Sequence, residues 1–437
     1  MISLKSTFTY KNLVLLVWAL IPVGLIVAPF LLSLCMLASV ALALYHPERS
    51  NRFLIGLRRD WSRQIQGFFR SPHIWTLSVL FFLSLWGFWV LEDAGYQLSR
   101  LRIKAPFLVL PFAFFLLPRL DRKTFEGLLL WLLCLLSLTS IGVMINYLFN
   151  YSEINLLLEQ GQSMPLPSNH IRFSLMLSFG ILCAAYLYIY GKLQRQIAWL
   201  KYVYLGSGLL LFVFLHFLAV RSGILVTYLT GALLVLQYIL RTRQYLLILV
   251  LVFSGVAFPF LAYEAFPSVR AKMGYVNYDF EYLRKGNDAL QLSDAGRWIS
   301  LQIGWDVFKS APVGGVGVGN LKKEVMLRYD QRFPDAPIAQ RKMPHNQFLS
   351  VLASTGILGF FIFIAAFLFP LFHQKNYQNP LILGFYSIVF LSFMVENTIE
   401  NAMGAGFFIF YALLLLLSAK LIDDHPQFLG EDGIINP

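Results

Sequence analysis

Stretches of about twenty apolar residues recur from one end of this chain to the other, with short polar segments between them. Nothing else in the sequence constrains the fold as strongly, because a run of that length is what a helix needs to cross hydrocarbon. Hydrophobic residues make up 58% of the 437 positions and charged residues only 13%. A soluble protein carries roughly twice that share of charge, so the apolar excess must face lipid. Length alone would allow about three soluble domains. The expected architecture is instead one all-α integral membrane body.

About twelve spans are expected on this basis, near 12–27, 29–45, 73–91, 105–118, 127–148, 171–190, 202–220, 223–240, 245–263, 347–372, 380–396 and 402–420. The chain then divides into nine spans over 1–263, a large polar loop over 264–346, three spans over 347–420 and a tail over 421–437. Lys5 and Lys11 before the first run resemble the start of a signal peptide. The apolar stretch behind them far exceeds a cleavable core of about 7–15 residues, so it is expected to be retained.

Loop charge sets the orientation. Residues 46–70 hold Arg49, Arg52, Arg58, Arg59, Arg63 and Arg70, and 118–123, 191–201 and 241–244 are also basic. These fall on one side with both termini, which the positive-inside rule makes the cytoplasm. The opposite loops carry Glu92, Asp93, Glu153, Glu159, Glu396 and Glu400. The net charge of +12 therefore reads as topology and attraction to anionic membrane lipids, not as a nucleic-acid surface. Within 264–346, the apolar Trp298, Ile299, Ile303, Trp305, Val307 and Phe308 predict one or two ordered helices over the membrane body.

Charged groups at membrane depth or its edge are costly and mark candidate sites. Arg221 interrupts about forty apolar residues where two spans turn; it is either a snorkelling turn marker or a fixed planar cation for a phosphate. Arg297 opens an amphipathic helix, followed by Pro312 and the glycine-rich PVGGVGVGN (312–320). This is neither a Walker A loop nor a dinucleotide fingerprint, and no cofactor motif occurs elsewhere. It allows close backbone approach to a ligand, or is a flexible connection.

His345, in KMPHNQFLSVLASTG (342–356), is expected in the first turn of the tenth span, behind Pro344. A helix N-terminus disfavours imidazolium and favours anions, which suits a neutral general base beside an anionic ligand. The plainer reading is an interfacial His with Asn346 capping the helix. Further candidates are His170 and Arg172 at the mouth of the sixth span, and Glu396 with Glu400, about one helical turn apart in ENTIEN. His216 reads as an interior polar contact. Cys35, Cys134 and Cys183 all lie in apolar runs and read as core residues. No metal-ligand spacing occurs, and metal-independent chemistry is expected.

An Arg between spans seven and eight, an R-W pair, P-x-x-G-x-G-x-G-N and then P-H-N-x-x-L resemble the O-antigen ligase and polymerase superfamily, over about 221–359. The resemblance implies a GT-C-like glycosyltransferase with one large, partly helical periplasmic loop between spans nine and ten. Its substrates would be an undecaprenyl-diphosphate-linked glycan donor and a lipid A-core acceptor, at the periplasmic face of the bacterial inner membrane. It further implies inverting transfer without metal or cofactor. His345 would deprotonate the acceptor, and Arg221 and Arg297 would hold the diphosphate. Asn346, His170, Arg172, Glu396 and Glu400 are candidate substrate contacts.

Protein-glycosylating members are usually longer, and polymerases often carry a second sizeable outer loop. The modest 150–170 loop here points to a ligase, with polymerase and protein O-oligosaccharyltransferase as alternatives. A polyprenyl-linked glycan transporter is the competing class. It would call for charges near the bilayer midplane and inverted repeats, and neither is seen.

Overall fold

The computed structural model describes residues 10–45, 60–159, 162–265 and 293–423, with isolated positions between 270 and 281. Every regular element among them is a helix. In chain order the main ones are α1 (Tyr10–Ile26), α2 (Pro29–Leu44), α3 (Ala94–Leu116), α4 (Arg122–Phe149), α5 (His170–Tyr190) and α6 (Leu200–Phe217). There follow α7 (Arg221–Thr242), α8 (Leu247–Ala265), α9 (Ser293–Ser310), α10 (Leu321–Arg332), α11 (Gln347–Phe372), α12 (Pro380–Val395) and α13 (Ala402–Leu417).

By length and composition, 72–90, α4, α5, α6, α7 and the stretch from Gln347 can cross a membrane, while α1, α2, α12 and α13 are shorter apolar helices. The run expected near 73–91 is not one regular helix. Short α and 3₁₀ turns alternate from Pro72 to Val90, with a left-handed residue at Gly87. The basic positions Arg49, Arg52, Arg58 and Arg59 lie outside the described residues, as do the tail beyond 423 and most of 266–292.

The centre of the bundle is α13, whose residues from Gly404 to Leu416 are all buried. A helix apolar all round must be packed on every side. Its Gly406 lets Leu32 of α2 approach so closely that a Cβ there would lie 2.9 Å from the Leu32 side chain. Phe407 and Tyr411 meet Phe179 of α5 and Phe385 of α12 in a ring cluster, with Phe179 and Tyr411 centroids 4.7 Å apart. Peripheral helices present large apolar side chains outward, among them Phe30, Leu148 and Phe253.

Contacts sort the helix ends into two sets. At one end Lys11 pairs with Asp121 at 2.6 Å, joining the starts of α1 and α4. One turn into α4, Glu126 is fully buried; it accepts Arg122 Nε at 2.6 Å and the backbone N–H groups of Lys192 and Leu193 at 2.9 and 2.8 Å. Arg122 also donates to Tyr190 O at the end of α5 and to Leu421 O beyond α13. The basic stretches 118–123 and 191–201 thus meet at one end, as their charge led one to expect. The starts of α5, α7 and α11 and the end of α12 gather at the other.

Four residues of α9, Ile299, Ile303, Val307 and Phe308, are buried with Leu321, Val325 and Tyr329 of α10 and Ala353 of α11. Order over the membrane body is therefore observed, but Trp298 and Trp305 are about half exposed rather than part of this core. They occupy the opposite face of α9 from the buried positions, at the spacing an amphipathic helix dictates.

Part of the glycine-rich loop is docked on α11, while Pro312 to Gly314 are exposed. Val316 N–H and Gly317 N–H donate to Ala353 O and Ser354 O at 3.1 and 2.9 Å, and Ile357 N–H donates back to Pro312 O at 2.9 Å. This docking interrupts α11 at Gly356, which takes φ +65° and where a Cβ would fall 2.2 Å from Val313 O. Only glycine fits such a left-handed, crowded position.

Candidate active site

His345 lies just ahead of α11, not in its first turn. The helix begins at Gln347, and Asn346 is the N-cap, its Oδ1 accepting Leu349 N–H at 2.9 Å. An Asn cap requires extended backbone at 346, which leaves the preceding residue outside the helix. The segment is held from several sides. Tyr329 of α10 donates its hydroxyl to Lys342 O at 3.1 Å, and Pro344 packs on Gly304 of α9. The His345 N–H reaches Ser300 Oγ at 3.3 Å, and that hydroxyl donates to Arg297 O at 2.7 Å. Asn346 Nδ2 donates to Met394 O of α12 at 2.9 Å.

The ring of His345 is half-buried, with Nδ1 3.5 Å from Glu396 Oε1. That separation is an ion-pair distance, and Nδ1 makes no hydrogen bond with good geometry among the described residues. Burial works to raise the Glu396 pKa, but the nearby His345 ring, the charge of Arg172 and the Asn397 N–H outweigh it and hold the carboxyl below its ordinary value. The structure thus brings together His345, Glu396 and Arg172, from three separate helix ends.

Arg172 sits in the first turn of α5 behind the cap Asn169, whose side chain accepts the Ile171 and Arg172 N–H groups. His170 Nδ1 is 3.2 Å from Ser163 Oγ. Arg221 heads α7 and is exposed. Two residues on, Gly223 packs so tightly on Ser174 of α5 that a Cβ would lie 2.4 Å from that side chain. Arg221 is thereby carried to the same end of the bundle as Arg172. Arg297, half-buried on α9, is tied to the His345 backbone through Ser300.

Glu400 is used differently from Glu396. Its Oε1 accepts Lys104 Nζ at 2.7 Å and Gln347 Nε2 at 2.8 Å, and Arg100 lies 3.5 Å from its other oxygen. Gln347 in turn accepts Ile399 N–H at 3.2 Å. Glu400, Lys104 and Arg100 line a cavity of about 90 Å³ together with Tyr96, Asn397 and Ser350. Arg100 and Lys104 were not singled out in the sequence, although a signal exists. They are cations at the end of the bundle where loop charge should be sparse. His216, by contrast, is the interior contact expected: it donates from Nδ1 to Phe212 O at 2.8 Å and accepts Tyr228 Oη at 2.9 Å.

Burial opposes ionisation of Glu400, but Lys104, Arg100 and Gln347 more than offset it, so its pKa lies below the ordinary 4.5. A carboxylate with a depressed folded pKa contributes stability above its unfolded value and loses it as pH falls through the folded one. The melting temperature of the detergent-solubilised protein is therefore expected to drop more steeply below about pH 4.5 in wild type than in Glu400→Gln. Parallel curves for the two proteins would refute this assignment.

An all-helical bundle with several apolar spans, its ionisable groups gathered at the helix ends, defines a multi-pass membrane protein. Residues 206–364 match the family model described as O-antigen ligase. Arg221, Arg297, His345 and Asn346 fall within the matched residues, whereas His170, Arg172, Glu396 and Glu400 lie outside them. Comparison with curated proteins finds no match. Among the described residues no three His, Cys, Asp or Glu side chains come together as metal ligands would.

Proposed function

We propose that the protein is an O-antigen ligase that transfers a glycan from undecaprenyl diphosphate to the lipid A-core oligosaccharide. The bundle crosses the inner membrane about twelve times, with the His345 end periplasmic and the Arg122–Glu126 end cytoplasmic. The observation that carries the reading is the His345–Glu396 pair beside Arg172, at the mouth of the helices. Glu396 steadies Nδ1, which leaves Nε2 to take the acceptor proton.

In the reaction the acceptor hydroxyl oxygen attacks the anomeric carbon and its proton passes to His345. The bond from that carbon to the diphosphate oxygen breaks, with inversion, and the leaving group departs with its charge. Arg221 and Arg297 bind the diphosphate oxygens, where planar guanidinium groups give paired, charge-assisted hydrogen bonds. That stabilisation is largest where charge develops, so it acts on the transition state. The polyprenyl chain stays in lipid and enters between helices, which accounts for reactive groups at the lipid boundary. Asn346, His170 and Arg172 border the sugar-binding region. Glu400 acts through Gln347, positioning the first turn of α11.

Deletion of the gene from its bacterium is expected to leave lipopolysaccharide as bare lipid A core on a gel, with the ladder restored by wild type but not by His345→Ala. Core carrying a single repeat would identify a polymerase instead. An unchanged ladder in the deletion strain would rule out both and redirect attention to protein glycosylation or transport.

A further inference from the structure

A second cavity, of about 240 Å³, opens at the end of the bundle opposite His345. It lies among the start of the 72–90 segment, the turn after α3, the turn after α11 and the end of α13. Its described lining includes Arg70, His73, Arg119, His373 and Lys420, and no acidic residue. The remaining wall is largely apolar, with Trp18, Phe114 and Leu417 leading back into the helices. We propose that this cavity binds the phosphate headgroup of an anionic membrane lipid.

Basic residues at this end have a simpler explanation, since positive-inside charge and the carbonyl ends of α3, α11 and α13 both favour cations. Three observations go beyond it. Trp18 Nε1 and His73 Nδ1 are buried without a hydrogen-bond partner among the described residues, and both residues line the cavity. Buried polar groups are nearly always satisfied, so two orphans at one cavity point to a missing ligand. His73 and His373 form a parallel stack with centroids 4.8 Å apart, which joins two lining segments.

Directly after His373, Gln374 and Lys375 both adopt left-handed backbone, at φ +50° and +59°. Consecutive non-glycine residues in that region are costly and persist where a site needs the geometry. An amphiphilic wall then selects among anions. Cations at the mouth take a phosphate, while the aromatic and leucine surface behind them takes acyl chain. This site is separate from the transfer reaction and does not depend on it.

The test uses full-length protein, delipidated in detergent and examined by native mass spectrometry with phosphatidylglycerol, phosphatidylcholine or inorganic phosphate added. One phosphatidylglycerol per chain is expected to be retained, at least about tenfold over phosphatidylcholine. Arg119→Gln with Lys420→Gln is expected to reduce that occupancy at least about fivefold, because each surface cation is worth roughly 1 kcal/mol towards an anionic lipid. Displacement by millimolar phosphate would assign the site to a free phosphate rather than a lipid and would overturn the headgroup reading. Equal retention of the two lipids, or unchanged occupancy in the double variant, would overturn the site itself. If the double variant elutes as aggregate, His373→Gln supplies the same comparison with the cations intact.

Discussion

Replacing His345 by alanine is expected to slow glycan transfer by about 10²–10⁴-fold, the usual contribution of a positioned general base. The measurement is timed transfer by purified protein with a lipid-linked glycan donor, followed on a gel. Glu396→Gln should also reduce the rate, by at least about tenfold, because a neutral amide no longer stabilises the imidazolium that forms during proton abstraction. The 3.5 Å separation between the ring and the carboxylate makes this loss smaller than that of the His itself. Both variants should keep the wild-type elution profile, since Asn346 still caps α11 and Ser300 still meets the 345 backbone. Full activity in His345→Ala would remove the base from the mechanism and with it the assignment of this end of the bundle as catalytic.

The second large effect is structural. Glu126→Ala is expected to destabilise the protein by roughly 3–5 kcal/mol, the cost of leaving one member of a buried ion pair without the other. The Glu126 side chain is fully buried and that of Arg122 is 12% exposed, so solvent screens the pair little. Glu126 also satisfies two backbone N–H groups beyond α5, and through Arg122 it ties α4 to the ends of α5 and α13. Denaturant unfolding in detergent should show the loss as a lower midpoint. Glu126→Gln, which keeps a hydrogen-bond acceptor, should lose less. A midpoint equal to wild type would mean that this clamp contributes no net stability.

These two sites differ in how they can be found. His345 stands out in one dimension: a Pro, a His and an Asn directly before an apolar run is a local pattern with a local meaning. Glu126 does not, because a single acid within a helix start looks like ordinary loop charge. Its role depends on residues 66 and 67 positions away. Glu396 is intermediate. Its place between α12 and α13 was legible, but its pairing with His345 was not.

The glycine-rich loop marks another limit. Composition identified it as special and left two meanings open, close approach to a ligand or a flexible connection. The close approach turned out to be to the chain itself, at Gly356 and Ala353 of α11. Arg100 and Lys104, not singled out from the sequence, are cations on an unexpected side, and only the fold places Glu400 between them.

The sequence by itself determined that the described residues form helices without sheet, where the apolar segments run, and that the basic stretches around 118–123 and 191–201 share one end. Those properties follow from hydrophobic length and loop charge, which act on each segment separately. Tertiary structure alone decided which ends of which helices touch. It brought Arg172 and Glu396 to His345, gave Glu126 to Arg122 and the 192–193 backbone, and seated α9 on α11. A buried charge is tolerable only beside its partner, and a partner dozens of residues away becomes a neighbour only once the helices have packed.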